Sequence, residues 1–190
     1  MKKQRDNYTF LTHAPVHRVI VSMAVPTIIS MLVTSIYGMV DTYYVGQINT
    51  QSTAAVGISF SIMTIIQAIG FFFGHGSGNY ISRMLGAKRT DEAKYMAATG
   101  LVGSVTFGLA VAVVGLAFLS DICIFLGSTE TILPYTERYL GIILVGAPFM
   151  TGAFTLNNQM RFQGNAKYAM YGILSGVVLN VVLKGGDRDA

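Results

Sequence analysis

Apolar residues run along this chain in long blocks, and the charged residues between them come in short clusters. Positions 19–45 contain one charged residue, Asp41, and positions 54–80, 96–119, 139–156 and 168–183 contain none. A helix needs about 20 apolar residues to cross the ~30 Å hydrocarbon core of a bilayer. The blocks are apolar nearly all round, whereas a helix on a soluble core keeps a polar face. The pattern predicts an all-α, polytopic transmembrane bundle of about five helices, with spans near 19–45, 54–81, 96–119, 139–160 and 166–183. Residues 1–18 then form a cytoplasmic N-terminal segment, 19–183 the bundle, and 184–190 a polar tail. The first block is longer than the roughly 7–15 apolar residues of a secretory signal, and no small-residue cleavage site follows it.

Composition agrees with the pattern. Of 190 residues, 52% are hydrophobic and 12% charged, against about 25% charged in a soluble domain. A single cysteine, Cys123, excludes an intrachain disulfide. The formal charge of +4 would fit nucleic acid only if the cations formed one binding patch. They sort by membrane side instead. Lys2, Lys3, Arg5 and Arg18 precede the first span. Arg83, Lys88, Arg89 and Lys94 follow the second, and Arg161 and Lys167 follow the fourth. The loop after the first span has no Lys or Arg, and the loop after the third has Arg138 beside Asp121, Glu130 and Glu137. The excess of cations on cytoplasmic loops then puts the N-terminus inside, and no nucleic-acid partner is expected.

Small residues mark the expected packing. Gly70, Gly74, Gly78, Ser82 and Gly86 recur every four residues, as do Gly100, Ser104 and Gly108, and Gly172 and Gly176. Such rows share one helix face and let membrane helices approach closely. The stretch Gly74-His75-Gly76-Ser77-Gly78 lacks the Gly-Lys-Ser/Thr ending of a phosphate loop, and His75 is read as packing or a local hydrogen bond ahead of a proton site. No acid pair, Ser–His pair or His-rich set sits at catalytic or metal-binding spacing within the spans, so neither an enzyme nor a metal centre is expected.

Polar residues inside the spans carry the candidate chemistry. Thr27, Ser30, Thr34, Tyr37 and Asp41 follow steps of three and four residues along one helix face. In lipid such a stripe turns toward the bundle interior or a water-filled cavity. Pro26, at its start, removes a backbone hydrogen bond and bends or loosens the helix. Asp41 either works in the interior or lies in the outer interface, because the block is longer than the hydrocarbon requires. Asn180 continues the Gly172–Gly176 row; its amide either bridges helices or offers a carbonyl oxygen to a hard cation.

Three stretches resemble the multidrug and toxic compound extrusion (MATE) transporters, in the prokaryotic-type branch. AVPTIISMLVTSIYGMVDTYYVGQIN followed by STAAVGIS is similar to the family's first helix and loop. FFFGHGSGNYISRMLGAKRTDEAK resembles its second helix and basic cytoplasmic loop, and RFQGNAKYAMYGILSGVVLNVVL its fifth helix. The resemblance covers about residues 15–183. It implies twelve helices in two six-helix lobes, in the inner (plasma) membrane of a bacterium. It also implies export of cationic and amphipathic small molecules by alternating access, with Na⁺ or H⁺ as coupling ion and no cofactor. By the same resemblance Asp41 and Asn180 belong to a cation or proton site and Pro26 is the bend of the first helix; Thr27, Ser30, Thr34 and Tyr37 are expected, from their shared helix face, to line the polar cavity. The family pattern places an acid one turn after Asn180, where this chain has Lys184. We therefore expect a truncated N-lobe that is inactive by itself, its second lobe supplied by another chain or absent. The rival readings are a lipid-linked oligosaccharide flippase of the same superfamily and a non-transporting membrane scaffold.

Overall fold

A computed structural model of the chain describes residues 9–11, 13–47 and 49–186; the side chains of Asp41, Val45 and residues 180–186 lie outside that description. Among the described residues there is no strand. The helices are α1 (Val16–Gly46), α2 (Thr50–Gly86), α3 (Thr90–Ala117), the short α4 (Leu119–Phe125), α5 (Leu133–Phe162) and α6 (Ala166–Gly186). Of these, α1, α2, α3 and α5 are long and apolar enough to cross a membrane. The described apolar part of α6 is shorter, 166–179. Its backbone nevertheless continues for 21 residues, roughly 32 Å at ~1.5 Å per residue. It runs past 183, where the sequence led us to place the end of the fifth span. The sequence also left α4 as loop.

Local chemistry sets the boundaries. Asn49 caps α2 by accepting a hydrogen bond from the Ser52 amide at 2.6 Å, satisfying one of the free N–H groups of the first turn. Asp91 and Glu92 stand in the first turn of α3, where the helix dipole favours negative charge. Pro134 begins α5, a position at which its missing N–H costs nothing. The turn from α5 to α6 passes through Gly164 at φ +77°, and a Cβ there would lie 2.6 Å from Leu11 Cδ1. The left-handed backbone favours glycine, whereas the Leu11 side chain could swing aside.

The centre of the molecule is the trio α2, α3 and α5, held together by the small-residue rows. A Cβ on Gly70 would sit 2.6 Å from Phe154 Cβ, one on Gly74 would sit 2.9 Å from Asn158 Cβ, and one on Gly78 would strike the Phe162 ring. Both partners in this series rise together, so α2 and α5 run parallel. Gly100 faces Ser77 while Gly103 faces Phe73, and Gly108 faces Thr151 and Pro148 while Gly115 faces Leu144. Those series run in opposite directions, so α3 is antiparallel to both. Ile66, Ala112 and Ala147 form the apolar centre. The expected rows fail at two places. Gly86 meets open space, and so do Gly172 and Gly176 of α6. Among the described side chains of α6 the buried apolar ones are Ala166 and Ala169 instead.

Helices α1 and α6 pair mainly with each other, with thinner contacts from α6 to α5 and from α1 to α2. Three-residue turns join α1 to α2 and α5 to α6, so each joined pair is antiparallel. With α2 parallel to α5, α1 and α6 run the same way. The geometry therefore gathers Arg18, Arg83, Lys88, Arg89, Lys94, Arg161 and Lys167 at one end of the bundle. Asp121, Glu130 and Glu137 gather at the other.

Candidate functional site

The stripe on α1 divides when its side chains are placed. Pro26 and Ser30 are buried, Thr27 and Tyr37 half-buried, and Thr34 exposed. The buried line passes through Val33, which is half-buried, rather than Thr34. Three of its hydroxyls bond back to their own helix: Thr27 Oγ1 donates to the Met23 carbonyl at 2.9 Å, Ser30 Oγ to Pro26 at 2.8 Å, and Thr34 Oγ1 to Ser30 at 2.8 Å. Such back-bonds bend helices slightly. The first falls in the turn that Pro26 already loosens by withholding its donor, and the other two follow in the next two turns. Each hydroxyl oxygen keeps acceptor capacity toward a cation or water.

Asp41 lies by backbone in the last third of α1, and Asn180 in the second half of α6. Because α1 and α6 are parallel and in contact, both positions fall toward the end opposite the basic cluster. Their side chains, and that of Lys184, lie outside the described residues. No group of His, Cys, Asp and Glu able to hold a metal occurs among the described residues. His75 is exposed, its Nδ1 2.9 Å from the Phe71 carbonyl and its ring edge-on to Phe71 and Phe162.

A second polar line, not singled out from the sequence, runs through α5. Thr136, Leu140, Leu144, Ala147, Thr151, Thr155 and Asn158 follow steps of three and four residues, and all are buried. Thr151 Oγ1 donates to the Ser104 carbonyl of α3 at 2.9 Å, and Thr155 Oγ1 to the Gly70 carbonyl of α2 at 3.1 Å. Gln159 Nε2 reaches both neighbours, donating to Ser77 Oγ at 2.9 Å and to the Ala97 carbonyl at 3.1 Å. Asn157 Nδ2 donates to the Ala169 carbonyl of α6 at 3.0 Å. The signal was present as Thr151-x₃-Thr155-x₂-Asn158-Gln159 in an otherwise apolar span. These bonds fix the trio and tether α6; the polar groups of α1 make none of them.

Four helices long and apolar enough to cross a membrane, packed through glycine and tied by interhelical hydrogen bonds from Thr, Asn and Gln, define a polytopic α-helical membrane protein. The MatE family model matches residues 26–184, and the chain belongs to that family, whose members are transporters. It is 34% identical over 130 residues to the multidrug export protein MepA of Staphylococcus aureus (strain MRSA252) and 35% identical over 130 residues to that of Staphylococcus haemolyticus (strain JCSC1435). Each match takes in 68% of this chain and 29% of the relative, so the chain spans under a third of the length of these curated relatives. Among solved structures it resembles a MATE protein in the bent conformation, with a TM-score of 0.84 and 26% identity over 93% of this chain and 39% of that one. It also resembles an outward-facing multidrug resistance MATE family transporter of the MOP superfamily, with a TM-score of 0.82 and 27% identity over 87% and 37%.

Proposed function

We propose that this chain supplies helices of one lobe of a cation- or proton-coupled efflux transporter for cationic and amphipathic small molecules, with Asp41 and Asn180 in the coupling site. The observation that carries the reading is the division of the bundle. Bonds from Thr151, Thr155 and Gln159 knit α2, α3 and α5 into a trio, while the helices bearing Asp41 and Asn180 form a parallel pair attached to it by thinner contacts and by the Asn157–Ala169 bond. An acid on such a helix is a charge that an ion or proton can neutralise, and α1 carries Pro26 where a change of bend is cheapest. Thr27, Ser30 and Tyr37 supply oxygens on the same helix, with Thr34 at its edge. Lys184, one turn beyond Asn180, puts a cation where the family pattern has an acid.

Alternating access needs two halves that move against each other around a central site. We therefore assign the 190 residues one side of that arrangement and no transport by themselves. The N-terminus and the basic end are cytoplasmic in this reading, in the plasma membrane of a bacterium. The test uses proteoliposomes loaded with a fluorescent cationic dye, under an imposed Na⁺ or pH gradient. A chimera carrying residues 26–183 in place of the matching segment of a staphylococcal relative moves dye with the gradient, and the 190-residue chain alone does not. Gradient-driven movement by the chain alone would replace this reading with a homo-oligomeric transporter, and an inert but inserted chimera would remove the transport reading.

A further inference from the structure

Arg161 stands in the last turn of α5 and is half-buried. Among the described residues its side chain makes no hydrogen bond and no ion pair. A guanidinium carries five N–H donors in a planar fork, and polar groups removed from water are ordinarily paired. The carboxylates described at this end of the bundle, Asp91 and Glu92, are both taken. Lys94 pairs with Asp91 at 2.9 Å, and Glu92 is held by Arg89 and by the Tyr80 hydroxyl, which donates to it at 3.3 Å. Arg18, Arg83 and Lys167 share this end and likewise have no acid partner among the described residues. The helices therefore leave a surplus of positive charge here, and Arg161 is its most buried member.

Backbone bonds fix where Arg161 stands. The Gly164 amide donates to the Arg161 carbonyl at 3.0 Å and the Asn165 amide to the Met160 carbonyl at 2.9 Å, the two bonds of a Schellman helix end. One turn before Arg161 on the same face, Asn157 Nδ2 donates to the Ala169 carbonyl of α6. Arg161 thus faces the start of α6, at a seam tied on both sides. Its depth is marked independently. The chain has no tryptophan, so tyrosine is the aromatic that marks the boundary between hydrocarbon and headgroups. Tyr80, Tyr95 and Tyr171 are exposed on α2, α3 and α6, five or six residues inside the helix ends of the basic side. Arg161 is one residue from the end of α5, about one turn further out than that ring. That is the level of the lipid phosphates.

We propose that Arg161 holds the phosphodiester of one anionic phospholipid at the seam between the end of α5 and the start of α6. The guanidinium fork matches a phosphate bidentately, and partial burial strengthens an attraction that water would otherwise screen. Arg18, Arg83 and Lys167 set the preference for a lipid of net negative charge, because they repel the choline or ethanolamine cation that a zwitterionic lipid carries beside its phosphate. The exposed Tyr171, Val178 and Leu179 of α6 offer the acyl chains an apolar surface that a free phosphate does not use. The site lies at the end opposite Asp41 and Asn180, and its test involves no transport, so its failure would leave the coupling proposal untouched.

The experiment is native mass spectrometry of the 190-residue chain released from detergent micelles, titrated with phosphatidylglycerol or with phosphatidylcholine of the same acyl chains. Phosphatidylglycerol is expected to add one saturable adduct at concentrations where phosphatidylcholine adds none. Arg161→Gln weakens that adduct roughly tenfold, the scale of one lost charge-assisted contact. Arg161→Lys, which keeps the charge and the fold but not the fork, weakens it as well. Lys94→Gln removes the same charge from the same end, at a residue already paired with Asp91, and leaves the adduct unchanged. Full-strength binding by either Arg161 variant would overturn the proposal. So would equal weakening by Lys94→Gln, which would reduce the site to diffuse attraction. Loss of the adduct in an excess of inorganic phosphate at constant ionic strength would also overturn it, by assigning the fork to a free anion.

Discussion

Gln159 is the residue on which the trio depends most. It is 2% exposed and donates to both neighbouring helices. Interhelical hydrogen bonds in membranes average about 0.6 kcal/mol and reach about 1.7. Gln159→Leu should therefore lower the unfolding free energy by about 1–3 kcal/mol in a detergent titration. Ser175→Ala, which removes an exposed hydroxyl bonded within its own helix, should leave it unchanged within about 0.5 kcal/mol. Cys123 gives a pH-dependent readout at the same scale. Its thiol is raised first by burial and then by Glu137, so the reactive thiolate forms only above the ordinary thiol range. The rate of maleimide labelling should climb at a more alkaline pH than for a free thiol. Glu137→Gln should bring that inflection down, because the nearby negative charge that opposes ionisation is gone; an upward movement would contradict the assignment. The residues around Asp41 were legible because an acid inside an apolar block stands out. The α5 ladder was not singled out, because Thr, Asn and Gln at steps of three and four do not break an uncharged run.

At the scale of elements, glycines at the same sequence spacing do different things. Gly70 and Gly74 sit against side chains of α5, whereas Gly172 and Gly176 meet open space. Gly70→Ala brings a methyl to within 2.6 Å of Phe154 Cβ and 3.2 Å of the Thr151 carbonyl, so α2 and α5 must separate. Overpacking of this kind costs about 1–3 kcal/mol, read as a lowered thermal midpoint in detergent. Gly172→Ala should be neutral or slightly stabilising through helix propensity. Equal effects of the two would contradict the packing described. Helix positions were readable from the apolar blocks, since length and lack of charge are enough to predict a span. Which glycine rows engage was not, because a four-residue spacing names a face without naming what covers it. The α4 helix escaped notice for a related reason. Its seven residues carry Asp121 and fall in a connection, where no periodicity can be counted.

At the scale of the whole molecule, packing and charge agree. The parallel register of α2 with α5, fixed by Gly70, Gly74 and Gly78, brings the basic loops to one end without any assumption about a membrane. Our proposal makes that end cytoplasmic, following the positive-inside pattern. In a Cys123→Ala background, an impermeant maleimide added outside should label a cysteine replacing Asn49 and spare one replacing Arg89; the reverse would overturn the orientation. The division into a knitted trio and an attached α1–α6 pair was not legible, because it depends on which polar residues bond across helices. The pair is also where the coupling proposal rests, and Asp41 is its most exposed point to test. The direct measurement is gradient-driven efflux of a cationic dye by the chimera carrying residues 26–183, compared with its Asp41→Asn form, with insertion of both verified by the same cysteine labelling. The account predicts an inserted Asp41→Asn protein that no longer couples dye movement to a Na⁺ or pH gradient. Unimpaired gradient-driven efflux by that variant would contradict it.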